Sequence, residues 1–492
     1  MKAADRKGGP APRFASIRTV GFAAGPLLAA VMLTLSPPEG MAVAAWVVAA
    51  VCVLMAVWWM TEAAPLAATA LIPLILFPFL GIGSLAAVAE NYAHPLIFLF
   101  LGGFLLAQAM QHWRLSEHIA LRLLKLSGTA PRAIIASFMG TTAFLSMWVS
   151  NTATAMMMLP IGHSIVVAMA RCSGKRRRKE TDAFATALML GIGYAASIGG
   201  MGTLIGTPPN ALFASFVATA FAQPVSFLDW MLIGVPAVLM LLPVAWLVLT
   251  RIAFRITLKA DPKLQDILAR MLEELGPLNR GQKMLSVVLV LTASAWVLLP
   301  AIEALIPDLR LTDSGIALTA ALALFVLPAN GKGEKLLNWN EASKIRWDVL
   351  ILFGGGIALA TAIGLSGLAG WMGEQLSGLK GLPLPVIILL AATIIVILGE
   401  LASNTAVAAT FLPIAGATAI GIGADPLMLT VPVALAASIG FMLPVATPPN
   451  AIVYGSGTIT ARQMLRAGFL IDVAGILVAA LISVALAARV LN

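Results

Sequence analysis

The amino-acid sequence predicts an all-α integral membrane protein: an inverted repeat with two re-entrant hairpins and two broken helices, about 11 transmembrane helices in all. Three observations predict it. The 492 residues are 60% hydrophobic and only 11% charged, far above the ~45–50% apolar content of soluble domains. Apolar runs long enough to cross a ~30 Å hydrocarbon core recur to the C-terminus, and few segments alternate with period two, so helices rather than barrel strands are indicated. Short motifs also recur in the same order in both halves of the chain.

Taken in order, residues 1–19 form a basic tail, read as cytoplasmic and retained because no small-residue cleavage site follows it. Residues 20–40 are the first transmembrane helix. Residues 41–257 are the first repeat, with a re-entrant hairpin over 132–171 and a broken helix over 183–222. A cytoplasmic loop over 258–283 leads to the second repeat, 284–492, with a hairpin over 381–423 and a broken helix over 426–457.

The repeat rests on fixed offsets. Ser-Asn-Thr-Ala occurs at Ser150 and again at Ser403, 253 residues later, and Leu-Pro-Ile at Leu159 and Leu412 keeps that spacing, as does Gly-Gly at Gly102 and Gly355. Thr-Pro-Pro-Asn-Ala at Thr207 and Thr447 is offset by 240 and Ala-Ala-Ser-Ile-Gly at Ala195 and Ala436 by 241, because the second half lacks the basic insertion Gly-Lys-Arg-Arg-Arg-Lys-Glu.

The hairpins follow from length. Arg132 to Arg171 is apolar nearly throughout, and as one straight helix it would extend about 60 Å, twice the hydrocarbon thickness. With both flanks basic, it is expected to enter, turn at Ser150–Thr152 and return to the same side. The broken helices follow from proline: consecutive prolines cannot continue a helix, and irregular backbone at mid-membrane is tolerated only where it is buried or lines a cavity. Paired Ser-Asn-Thr and Thr-Pro-Pro-Asn motifs therefore read as a binding site rather than as packing kinks.

The net charge of +9 reports orientation. All of the 31 Lys and Arg except Arg310, Lys380 and Arg489 fall on one side of the expected spans, the positive-inside pattern. This argues against nucleic acid as a partner and for a multi-pass protein of the cell inner (plasma) membrane with a cytoplasmic N-terminus. Cys52 and Cys172 give neither a disulfide framework nor a metal spacing.

The paired hairpin and broken-helix motifs resemble those of the divalent anion/sodium symporter family, carriers of dicarboxylates, citrate and sulfate. The likeness runs from about Met41 to the C-terminus. It implies a scaffold domain and a transport domain, a homodimer, an elevator motion and Na⁺ as the coupling ion. It implies substrate contacts from Ser150, Asn151, Thr152, Ser403, Asn404 and Thr405, with Thr207, Pro208, Thr447 and Pro448 lining the pocket. One sodium site would use Ser146, Ser150, Asn151 and the backbone near Gly206. The other would use Ala402, Asn404 and the backbone near Ala446, with Gly399 at the position equivalent to Ser146. Glycine departs from the family's usual hydroxyl there, leaving that place to carbonyls or water.

The chemistry agrees with what the resemblance implies. No Lys or Arg lies inside the expected transport core, so a dianion must be held by helix N-termini, neutral Ser, Asn and Thr donors, and bound cations in oxygen cages. The function expected is sodium-coupled symport of C4-dicarboxylates (succinate, fumarate, malate), with a sodium-independent dicarboxylate exchanger, or carriage of citrate or sulfate, as the alternatives. An intramembrane enzyme would need a Ser with a His or Lys base or clustered metal ligands, and a channel would show charged rings; neither pattern is evident. Glu400 reads as a structural carboxyl bonded to nearby backbone or hydroxyls rather than a proton relay, Glu62 as a helix-start or scaffold contact, and His163 as packed.

Overall fold

The computed structural model describes residues 14–126, 128–173, 178–258, 263–306, 308–330, 333–487 and 490. The start of the basic tail, 1–13, and residues 174–177 of the basic insertion lie outside the described residues. The first helix runs Phe14–Thr34 and stops just before Ser36-Pro37-Pro38, where consecutive prolines remove the donors that another turn would need. It absorbs residues 14–19 of the expected tail.

The fold class is the expected one. Among the described residues eleven helices are long and apolar enough to cross a membrane, and no strand forms beyond an isolated bridge between Pro328 and Lys335. Three of the eleven, Asn151–Ala170, Leu384–Leu401 and Asn404–Ile422, are arms of the two hairpins. Burial separates core from periphery. In the 18-residue apolar stretch of Arg178–Gly200 94% of the residues are buried, against 17% in Ile17–Thr34 and 28% in the corresponding stretch of Arg280–Leu305. A helix that is apolar all round is therefore enclosed by protein in the first case and exposed at the surface of the chain in the others.

The duplication is visible in helix starts. The first hairpin is Pro131–Ser146 and Asn151–Ser173, the second Leu384–Leu401 and Asn404–Ile422. Both pairs of starts differ by the offset that relates the Ser-Asn-Thr motifs. The first broken helix is Arg178–Gly200 and Pro208–Phe221, the second Leu427–Ala436 and Pro448–Gly455. Their post-proline halves start at the offset that relates the Thr-Pro-Pro motifs. The repeat extends to the outer helices: a Cβ on Gly102 would meet the carbonyl of Ala317 at 2.6 Å, and one on its counterpart Gly355 would collide with Ala70 O. Each Gly-Gly pair thus lets a long helix cross a short apolar one at backbone contact.

Each hairpin clasps the first half of its own broken helix: Pro131–Ser146 and Asn151–Ser173 pack on Arg178–Gly200, and Leu384–Leu401 and Asn404–Ile422 pack on Leu427–Ala436. The post-proline halves cross over. Pro208–Phe221 packs on Asn404–Ile422 and Leu427–Ala436, while Pro448–Gly455 packs on Asn151–Ser173 and Arg178–Gly200. The two repeats are interlocked around their four motifs.

Candidate functional site

Four helix starts face one cavity. At the first tip Ser150 precedes Asn151, and its Oγ accepts the Ala153 N–H at 3.3 Å, a side-chain N-cap. At the second tip Ala402 is extended (φ −134°) and Ser403 is the N-cap of the arm that starts at Asn404. The other two starts are Pro208 after Thr207 and Pro448 after Thr447.

These starts are not equivalent donors. With proline at their first two positions, the post-proline helices present an aligned dipole and rigid walls but no N–H until Asn210 and Asn450, and those are spent internally: Asn210 N–H on Thr207 O at 3.2 Å, Asn450 N–H on Thr447 Oγ1 at 3.3 Å. The two post-proline helix starts therefore offer an anion no free N–H from their first three residues, unlike the half-helix N-termini that the sequence led us to expect as donors.

The Asn of each Thr-Pro-Pro-Asn staples its unwound segment. Asn210 Nδ2 donates to Gly200 O at 3.0 Å and Thr203 O at 2.7 Å. Asn450 Nδ2 donates to Gly440 O at 2.9 Å and Leu443 O at 3.0 Å. Gly440 and Leu443 correspond to Gly200 and Thr203 at the Thr-Pro-Pro offset, so one side chain solves the same problem in each half: carbonyls released by unwinding need donors where no water reaches. Both asparagines are fully buried.

Oxygen atoms cluster behind the first tip. The Asn151 amide sits 2.7 Å from Ser146 Oγ, 3.1 Å from Ala196 O and 3.2 Å from Gly206 O, with its nitrogen turned toward them. Ser146 Oγ also donates to Ala196 O at 2.7 Å. A Cβ on Gly200 would collide with the Asn151 amide and one on Gly206 with Gly200 O, so only glycine permits this approach. Turning the amide over would add a fourth oxygen to the cluster, a donor set suited to a hard monovalent cation. Behind the second tip the set is looser. Asn404 Oδ1 has no hydrogen-bond partner, and a Cβ on Gly399 would have Asn404 Oδ1 and Ile439 O as its nearest neighbours, both at 3.6 Å. A buried carbonyl oxygen without a partner is an acceptor awaiting a cation or donor.

The cavity has a volume of about 570 Å³. Ser150, Asn151, Thr152, Thr207, Pro208, Ser403, Asn404, Thr405, Thr447 and Pro448 all line it, as do Gly206, Ala402 and Ala446; Ser146 and Gly399 do not. Ser146 stands behind Asn151 in its hydrogen-bond shell. Ser197 and Ser438 also line the cavity with hydroxyls that lack protein partners. They are the serines of the two Ala-Ala-Ser-Ile-Gly copies, so the repeat carried a signal for them; Ala196 O carried none, because its partner Ser146 lies 50 residues away. The facing wall is apolar, from Phe100, Phe104, Val349 and Phe353, and the open end carries Arg18, Glu62 and Arg346. Glu62 does not start a helix as expected: it caps the C-terminus of Val43–Thr61 in a left-handed conformation (φ 48°) and pairs with Arg18 at 2.5 Å. Glu400 accepts backbone N–H bonds, the structural role read from the sequence. His163, expected to be packed, is exposed on the outer face of its arm. Among the described residues no group of three His, Cys, Asp or Glu converges to hold a metal ion.

Comparison with known proteins gives concordant findings. A family model described as the sodium:sulfate symporter transmembrane region matches residues 21–490. The sodium-dependent dicarboxylate transporter SdcS of Staphylococcus saprophyticus is 41% identical over 470 residues, 94% of this chain and 90% of that protein. SdcS of Staphylococcus aureus is 40% identical over 466 residues, 93% of this chain and 89% of that protein. The crystal structure of the YdaH transporter of Alcanivorax borkumensis covers 96% of this chain and 97% of its own, with a TM-score of 0.56 at 12% identity, a likeness of fold alone.

Proposed function

The chain belongs to the sodium:sulfate symporter family, and from that premise we propose that it is a secondary active transporter that carries C4-dicarboxylates such as succinate, fumarate or malate together with Na⁺. The observation that carries this reading is the convergence of two Ser-Asn-Thr tips and two Thr-Pro-Pro starts on one cavity with no Lys or Arg at its inner end. Two relatives at about this degree of identity carry the name sodium-dependent dicarboxylate transporter.

In this mechanism the substrate's carboxylates take donors from Ser150, Asn151 and Thr152 at one end and Ser403, Asn404 and Thr405 at the other. The Thr207-Pro208 and Thr447-Pro448 walls set its length. One Na⁺ is held by Ser146, Ser150, Asn151 and Gly206 O, the other by Ala402, Asn404 and Ala446 O beside Gly399. Each cation lowers the cost of bringing a dianion into a low-dielectric site, and the dianion does the same for the cations, which is the thermodynamic content of coupling.

The topology adds a direction. Arg18 and Arg346, at the cavity's open end, belong to the basic set read as cytoplasmic, so this conformation faces inward. The apolar wall of Phe100, Phe104 and Phe353 offers a surface along which a transport domain slides past a scaffold in an elevator motion, with a homodimer anchoring the scaffold. Gly399 supports a second reading, exchange of one dicarboxylate for another without net sodium movement. Uptake into proteoliposomes separates the two. An inward Na⁺ gradient drives succinate into empty vesicles if the protein is a symporter, and uptake that requires preloaded dicarboxylate and ignores Na⁺ overturns that reading.

A further inference from the structure

The two halves fasten tip to unwound segment at equivalent points, but side chain and backbone exchange roles. In the first half the Thr203 hydroxyl of the unwound segment donates to the backbone carbonyl of Met147 at the tip. The motif offsets carry Met147 to Glu400 and Thr203 to Leu443. There the tip supplies a side-chain acceptor to backbone donors: Glu400 Oε1 accepts Met442 N–H and Oε2 accepts Leu443 N–H, each at 2.8 Å. Asp472, from helix Ala461–Ile482, accepts Phe441 N–H at 3.1 Å. Tyr194, from the first broken helix, donates to Phe441 O at 2.9 Å. Glu400 and Asp472 are 3% and 2% exposed, so neither is a surface acid that happens to reach a loop.

The consequence runs toward the cavity. Leu443, held at its N–H by Glu400, accepts at its carbonyl from Asn450 Nδ2 and from Ala446 N–H. Ala446 lines the cavity beside Asn404, whose Oδ1 is unpartnered. Where the first half has Ser146 to complete its oxygen cluster, the second has Gly399, and the residue that follows it is Glu400.

We propose that Glu400 is a positioning residue for the second cation site: by gripping Met442 and Leu443 it fixes the Leu443–Ala446 turn, so that Ala446 and Asn404 present their oxygens at a set separation despite the missing hydroxyl at 399. The proposal rests on the reading of that region as a sodium site. A single backbone carbonyl could not serve two adjacent N–H groups through separate oxygens; a carboxyl can.

Glu400→Gln tests it with little change in volume, because an amide nitrogen cannot accept and one of the two N–H groups is orphaned. In proteoliposomes the Na⁺ concentration for half-maximal succinate uptake is expected to rise about tenfold, the range seen for residues that orient ligands. The maximal rate at saturating Na⁺ should stay within about twofold of the parent. The Na⁺-induced rise in unfolding temperature of the purified full chain should move to the same higher concentration, a readout that needs no transport. An inserted Glu400→Gln protein with the parent's sodium midpoint overturns the proposal, including when its yield or maximal rate falls. If that variant does not accumulate, Glu400→Asp, which keeps the carboxyl but withdraws it by one methylene from Met442 N–H and Leu443 N–H, takes its place: a higher midpoint supports the proposal and an unshifted one overturns it. A parent protein indifferent to Na⁺ in both assays would instead remove the functional reading itself.

Discussion

The two tips are built to one plan and finished differently. At the first, Ser146, Asn151, Ala196 O and Gly206 O already satisfy one another at 2.7–3.2 Å. At the second, Gly399 leaves room and Asn404 Oδ1 has no partner. A closed hydrogen-bonded set holds its geometry before any ligand arrives, whereas an orphaned buried oxygen is costly until something binds to it. The first tip is therefore closed on itself, with an amide N–H of Asn151 among the oxygens, and the second is left with an unsatisfied acceptor.

Substitutions can break or sharpen that contrast. The largest effect is expected from removing either amide: Asn151→Ala and Asn404→Ala should each abolish uptake while membrane insertion stays intact, and near-normal uptake by both would dismiss the site. Next is Gly206→Ala. Its Cβ would collide with Gly200 O, so the first oxygen cluster must open, and uptake should fall by about tenfold or more, as the loss of a positioned ligand does. Ser146→Gly gives the first half the composition of the second, and its sodium midpoint should rise about tenfold, one hydrogen-bonded oxygen being worth roughly 1.5 kcal/mol. The reverse exchange, Gly399→Ser, fits the 3.6 Å clearances and should lower the midpoint about threefold by supplying the absent hydroxyl. Its failure to lower the midpoint would mean that carbonyls alone already complete the second site. The smallest effect belongs to the open end, where Arg346→Gln should raise the KM for succinate about twofold at low ionic strength and less at high, since exposed charges steer and are screened.

Much of this arrangement is written in the sequence. The offsets between the Ser-Asn-Thr and Thr-Pro-Pro copies placed both hairpins, both breaks and, by register alone, Gly399 opposite Ser146. Double prolines announced the breaks because their chemistry is local. What escaped was non-local. The staple role of Asn210 and Asn450 depends on which carbonyls unwinding frees, and Ala196 O meets Ser146 only after a hairpin and a helix pack. The exchange of side chain for backbone between Thr203–Met147 and Glu400–Leu443 has no residue-type signal, since a threonine is aligned with a leucine and a methionine with a glutamate. The packing of each post-proline helix on the opposite repeat was equally silent, because two apolar faces of similar composition fit either partner. His163 shows the opposite error: a polar type was read as packed, and the helix turns it outward.

If neutral donors are to hold a dianion, alkali cations must share the cavity with it. Calorimetric titration of the purified chain with succinate, at low and at high Na⁺ with choline holding the ionic strength constant, tests it most directly. Succinate affinity should rise steeply with Na⁺, and Na⁺ affinity should rise reciprocally with succinate. Equal succinate affinity at both Na⁺ concentrations would contradict it.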